Sequence, residues 1–171
     1  MERNELLDRI GALSERELRP VENVLRALDD MKVNKYPFFG NFLDIVKEES
    51  DDPDVFVCSM PIVPELLNPL RIVYGGVTAA LADMAMAWML EHREDMGRRA
   101  RFVTIDMHVN YHNAGTGKRL IAKSRLVNVA REVLQVSCEI ENDKGDLVVT
   151  STGTFLHLVR RGQRQASGED Q

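Results

Sequence analysis

In the stretch VYGGVTAALADMAMAWML, residues 73–90, one carboxylate, Asp83, interrupts an otherwise apolar run. A carboxylate among apolar neighbours is costly unless it is partnered, and it responds by raising its pKa. Asp83 is therefore either an anchored polar group or an acid lining a pocket, where it could act as general base or nucleophile. Eight residues earlier, Gly75 and Gly76 open the same run, directly after Tyr74. The first N–H groups of a helix have no intrahelical acceptor, and the helix dipole favours negative charge beside them. Such a terminus can polarise a carbonyl and hold the oxyanion formed from it. The glycines also fit a plainer role, letting a loop turn into a helix against a crowded sheet.

Geometry constrains how these groups could cooperate. At 1.5 Å per residue, eight residues place Gly75 and Asp83 about 12 Å apart along one helix. They cannot both touch one reacting atom within a single chain. Cooperation requires the acid of one protomer to meet the glycine amide of another, so a functional reading of this helix predicts an obligate dimer.

Other constellations carry less. His108 and His112 are four apart in a strand-like stretch. On a strand that spacing puts them on one face but about 13 Å apart, too far to share an ion, so no metal site is expected. No GxSxG elbow is present. Cys58 and Cys138 lie in strand-like runs without CxxC spacing, as buried free thiols of a reducing compartment would.

The elements that must position these residues follow from periodicity. Residues 2–31 carry Leu6, Leu7, Ile10, Leu13, Leu18, Val21, Val24, Leu25, Leu28 and Met31 at helical spacings. Ser14 and Glu17 form an S-x-x-E capping box, and Pro20 is expected to divide the segment into two helices. FFGNFLDIVKEES and DVFVCSMPIV read as two strands joined by SDDPD, followed by a proline-containing loop into the apolar helix, which ends at EHRED before Gly97. Four strands then follow. In FVTIDMHVNYHN, alternation puts Val103, Ile105, Met107, Val109 and Tyr111 on one face, with Thr104, Asp106, His108 and Asn110 on the other. RLIAKSRLVNVA, EVLQVSCEIE and DLVVTSTGTFLHLV complete the set, and RRGQRQASGEDQ reads as a disordered tail.

A helix apolar on all sides must be buried on all sides. One antiparallel sheet can achieve this by curling around it, with a second molecule covering the remainder. The reading is an α+β fold with a long central helix and an N-terminal helical extension: arm 1–35, core domain 36–159, tail 160–171. The 171 residues suffice for one hydrophobic core, with 44% apolar and 29% charged residues. A net charge of −5 argues against a general nucleic-acid surface. The longest apolar run is too short for a membrane span, and the acid-containing N-terminus does not read as a secretory signal. A cytoplasmic protein with no membrane partner is the expectation.

The pattern Asn68-PLRIV-Tyr74-Gly75-Gly76-VTAALA-Asp83, continued by FVTIDMHVNYHNAGTG and DKGDLVVTSTGTF, resembles the hotdog-fold acyl-CoA thioesterases, the phenylacetate-degradation type in particular. The resemblance covers about residues 38–158. It implies a sheet wrapped around the central helix, active sites at a homodimer interface (dimers pairing further into tetramers in some cases), an acyl-CoA substrate and no cofactor. In that scheme Asp83 activates water or attacks the thioester carbonyl, and Gly75 polarises the carbonyl from the opposite subunit. Asn68 orients water or substrate, and Thr104 assists the acid. Tyr74 and Gly76 border the substrate, and Arg131, at a hairpin, is a candidate contact for the phosphates of CoA. A hydratase on this fold would show Asp followed five positions later by His; Tyr111 and Trp88 stand at that offset from Asp106 and Asp83.

The chain departs from the family at position 74, where tyrosine replaces histidine. A phenol stays protonated near neutral pH and donates a hydrogen bond, but it is no ready base. The alternative is a non-hydrolytic acyl-CoA-binding or regulatory dimer; a third reading is a structural oligomer anchored by Asp83.

Overall fold

The computed structural model describes residues 2–34, 36–93 and 101–158 and divides into two compact units, residues 1–45 and 46–171. The expected stop at Gly97 and the expected tail lie outside the described residues.

The first unit holds α1 (Arg3–Gly11), α2 (Glu15–Asn34) and α3 (Phe38–Phe42). The break between the two long helices falls at Ser14 and not at Pro20, which sits inside α2. The capping pair explains this: the Glu17 carboxylate accepts from both the Ser14 N–H, at 3.0 Å, and its hydroxyl, at 2.5 Å, fixing a helix start there. FFGNF, read as part of a strand, is a short helix. Arg26 holds the segment after it, donating to the Asn41 carbonyl at 3.1 Å and to Asp44 at 2.9 Å. Asn34 adds a 2.6 Å bond to Asn41. These links group residues 38–45 with α2, so the division falls ten residues later than the 35/36 boundary read from sequence.

Among its described residues, the second unit is a six-stranded antiparallel sheet around one α-helix. Its strands are β1 (Val46–Glu48), β2 (Val55–Pro61), β3 (Phe102–Tyr111), β4 (Arg119–Ala130), β5 (Val133–Asn142) and β6 (Leu147–His157). Their order is β1-β2-β4-β5-β6-β3, which leaves β1 and β3 at the edges. The helix α4 (Gly75–Glu91) packs against β2 to β6. Alternation on β5 shows why the sheet has an inner face: Leu134, Val136, Cys138 and Ile140 are buried while Gln135 and Glu139 are exposed. At Gly153 a Cβ would come within 2.9 Å of the Met86 side chain, so glycine permits the helix its close approach to β6.

The helix buries Thr78, Leu81, Ala82, Ala85, Met86, Trp88, Met89 and Leu90. A stripe through Gly76, Ala80, Asp83 and Ala87, spaced four, three and four residues apart, stays partly uncovered. This is the side that the all-apolar sequence predicts a second molecule would cover, and Asp83 lies on it.

Cys58 and Cys138 are both free and buried. Burial pushes the Cys58 thiol up to about 12 and the Cys138 thiol up to about 11, from an ordinary value of 9.0. The native protein is expected to resist iodoacetamide at pH 8, with both thiols labelled once it unfolds. Above pH 9 the unfolded chain releases thiol protons that the folded chain retains, so stability should fall as pH rises toward 11. A midpoint-versus-pH titration, with labelling followed by mass spectrometry, checks both outcomes.

Candidate active site

Asp83 is half-buried in the middle of α4, and the Thr104 hydroxyl donates to its Oδ1 at 2.7 Å. Thr104 reaches the acid by a route the sequence pattern does not reveal. Simple alternation places Thr104 opposite Met107, Val109 and Tyr111. The register of β3 on β6 shifts between Thr104 and Asp106, so Thr104 opposes Phe155, Met107 opposes Gly153 and Tyr111 opposes Val149. Phe155, Gly153 and Val149 all belong to the helix-facing side. The extra residue, Ile105, thus brings Thr104 onto the same face as Tyr111 and aims it at α4. Asp106 and His108 stay exposed.

At the other end of the helix, the approach to Gly75 is tied down by backbone bonds. The Val73 N–H donates to the Gly115 carbonyl at 2.9 Å, and the Tyr74 N–H donates to the Leu66 carbonyl at 3.0 Å. The Tyr74 carbonyl then accepts from Val77 and Thr78, starting the helix. Among the described residues the Gly75 and Gly76 N–H groups have no acceptor, as the first amides of a helix require. The Tyr74 phenol is half-exposed and makes no capping bond.

Asn68 shapes the loop before the helix. Its Oδ1 accepts from the Leu70 N–H at 2.9 Å and the Ile72 N–H at 3.4 Å, and its carbonyl accepts from Arg71. Its Nδ2 carries no partner among the described residues and remains able to donate. Asn68, Gly75, Thr78, Tyr111 and His112 line one cavity of about 320 Å³. The sequence offers His112 only as a metal ligand, and Tyr111 only for its strand face and its offset from Asp106. The Tyr111 hydroxyl donates to the Gly75 carbonyl at 2.9 Å, a contact across 36 residues for which no local motif exists. One His112 ring nitrogen pairs with the Thr150 hydroxyl at 2.8 Å.

The site residues therefore fall into two groups. Asp83 and Thr104 are joined directly; Asn68 and Gly75 share a cavity to which neither of the first two belongs. Arg131 sits in the β4–β5 turn at φ 59°, exposed, two residues beyond Val129. Val129 lies in the cross-strand row Thr104–Phe155–Leu134–Val129, so Arg131 belongs to the Asp83 end of the sheet. A larger cavity, about 590 Å³ and bordered by Lys47, Asp52, Phe56, Met89 and His92, contains none of these residues. Among the described residues, no three His, Cys, Asp or Glu side chains gather as a metal-binding group. No helix among them is long and apolar enough to cross a membrane.

Residues 70–149 match the model of the thioesterase superfamily. Acyl-coenzyme A thioesterase 13 of Mus musculus is 27% identical over 125 residues, covering 72% of this chain and 87% of that protein. The BH2602 protein of Bacillus halodurans, whose crystal structure contains CoA, superposes with a TM-score of 0.79 at 27% identity, over 89% of this chain and 99% of the other. The E. coli PaaI protein of the phenylacetic acid degradation operon shares the fold at a TM-score of 0.65 and 17% identity, over 80% of this chain and 96% of its own. A sheet curled around one long helix that opens on paired glycines, similar to these relatives in sequence and in shape, gives the chain the hotdog fold and a likeness to the thioesterase superfamily over residues 70–149.

Proposed function

We propose that the protein is an acyl-CoA thioesterase, hydrolysing a CoA thioester to the free acid and CoA at two sites of a homodimer. Each site pairs Asp83 and Thr104 of one protomer with Gly75 and Asn68 of the other. The observation carrying this reading is the separation of the two groups: about 12 Å of helix lies between Gly75 and Asp83. The partly uncovered stripe of α4 carries the acid.

The edge strand supplies a way to bring the halves together. Among the described residues β3 pairs with β6 on one side and has no partner on the other, while Val103, Ile105 and Tyr111 are exposed. An open edge with apolar side chains is a template for another strand. Two copies of β3 pairing antiparallel about a twofold axis at His108, with the bulged Ile105 left out of the ladder, would set Thr104 of one beside Tyr111 of the other. Asp83 would then face a Gly75 amide across the interface. Such dimers could pair again into tetramers.

In this arrangement the Thr104 hydroxyl occupies Asp83 Oδ1, leaving Oδ2 to take a proton from water or to attack the thioester carbonyl itself. The Gly75 N–H receives the developing oxyanion, and collapse of the tetrahedral intermediate expels CoA as the thiolate. Where Asp83 itself attacks, water then hydrolyses the acyl-Asp83 anhydride to the free acid and restores the carboxylate. The free Nδ2 of Asn68 orients the carbonyl or the water. Gly76 and Tyr74 border the substrate, and Arg131 offers charge to the CoA phosphates. The free, buried thiols suit a reducing compartment such as the cytoplasm.

Tyr74 motivates a second reading, a dimer that binds acyl-CoA without hydrolysing it. Thiol release from acetyl-, octanoyl-, palmitoyl- and phenylacetyl-CoA separates the two: turnover of any of them supports the esterase, and binding without turnover supports the second reading. The dimer is tested separately. The His112 N–H donates back to the Val148 carbonyl, so by alternation the Val109 N–H points away from β6. Val109→Pro removes that outward donor and is expected to yield monomers by sedimentation, with thiol release reduced at least about a hundredfold. A Val109→Pro monomer as active as wild type would contradict the shared site.

A further inference from the structure

We propose that Tyr111 is a positioning residue for Gly75, whose N–H binds the oxyanion, acting through the Gly75 carbonyl. The inference rests on the reading of the Gly75 terminus given above. A Gly-Gly pair at a helix start is the least constrained backbone the chain can place there. Donors aimed at an oxyanion are effective when their orientation is fixed before the charge develops. Something must therefore hold Gly75, and two side-chain hydroxyls converge on it. The Tyr111 hydroxyl donates to the Gly75 carbonyl at 2.9 Å, and the Thr78 hydroxyl donates to the same oxygen at 2.9 Å. The Tyr111 ring closes the remaining freedom: a Cβ at Gly75 would stand 3.2 Å from its Cζ and its hydroxyl oxygen.

The bonds have an electronic consequence as well as a steric one. The Gly75 carbonyl belongs to the same peptide unit as the Gly76 N–H, which has no acceptor among the described residues. Two hydroxyls on that oxygen draw electron density toward it and leave the Gly76 N–H a stronger donor, because hydrogen bonds in a chain polarise one another. Tyr111 thus aligns Gly75 and strengthens the adjacent amide. It lines the cavity of about 320 Å³ shared with Gly75 and Asn68, so its effect is exerted at the cavity wall. The contrast with Tyr74 is instructive: the tyrosine beside the glycines in sequence makes no capping bond, whereas the tyrosine 36 residues away holds their backbone.

The test uses Tyr111→Phe, which keeps the ring against Gly75 and deletes the hydroxyl. With the acyl-CoA that the wild type turns over fastest in the panel, kcat is expected to fall about fivefold while KM stays within about twofold, as loss of one hydrogen bond felt in the transition state would give. The independent readout is infrared spectroscopy of the same acyl-CoA carrying ¹³C at the thioester carbonyl, bound to Asp83→Asn. Its carbonyl stretch should be red-shifted relative to solution, and adding Tyr111→Phe should return it part of the way. An unchanged kcat and stretch in Tyr111→Phe, or a rise in KM alone, would overturn the role of Tyr111. Absence of any red shift in Asp83→Asn with Tyr111 intact would instead overturn the Gly75 reading, and this inference with it.

Discussion

Asp83→Asn is expected to lower kcat for acyl-CoA hydrolysis by about a thousandfold while leaving the fold intact and KM within a few-fold. The size follows from what the change removes: a positioned general base or nucleophile contributes on the order of a hundred- to ten-thousandfold. The fold should survive because the Asn carbonyl can still accept from Thr104, as Asp83 Oδ1 does at 2.7 Å. Among the described residues the acid is bonded by the neutral Thr104 hydroxyl and by no cation, so the substitution orphans no buried charge. Thr104→Val should be milder, about tenfold, since it releases one oxygen of the carboxylate without removing the base. Thiol-release kinetics with thermal melting on the same samples check both variants. A fully active Asp83→Asn protein would remove Asp83 from the chemistry.

Gly75→Val should cost about a hundredfold or more in kcat/KM, the range seen when one oxyanion donor is lost. The cause is steric. A Cβ at position 75 meets three atoms of the Tyr111 ring and hydroxyl at 3.2 to 3.3 Å, and a branched side chain adds methyl groups where the ring already lies. The ring must move or the helix start must turn, and either displaces the amide from its acceptor. Position 76 is the internal control. A Cβ there meets nothing within 4 Å, so Gly76→Ala should stay within about threefold of wild type. Equal loss at the two positions, measured in one acyl-CoA assay, would mean that space around Gly75 is not what matters.

Much of the architecture was legible in the sequence because it rests on periodicity. The apolar run from Val77 to Leu90 demanded a surrounded helix, and four well-alternating segments supplied the strands that surround it. What escaped is what periodicity cannot encode. FFGNF is a short apolar run, equally readable as strand or buried helix, and its helical form depends on Arg26 and Asn34 holding the following turn. FVTIDMHVNY alternates without a flaw in sequence, yet the sheet inserts a bulge at Ile105 and reverses the face on which Thr104 stands. Alternation groups Thr104 with Asp106 and His108, whereas the bulge turns it toward Asp83. Tyr111 carried no signal at all, since its contact with Gly75 is made by topology alone. For the candidate site, then, spacing along α4 was informative, whereas groups delivered from β3 required the register.

The central claim is that each active site draws Asp83 from one protomer and Gly75 from the other. Its most direct measurement is to mix Asp83→Asn and Gly75→Val protein, each nearly inactive, and allow subunits to exchange. A mixed dimer then contains one site bearing both substitutions and one site bearing neither. Statistical exchange makes about half of the dimers mixed, so the mixture should recover about a quarter of wild-type activity per protomer. The result that would contradict the account is a mixture in which exchange is complete, as shown by mass spectrometry, and activity stays at the level of the separate variants.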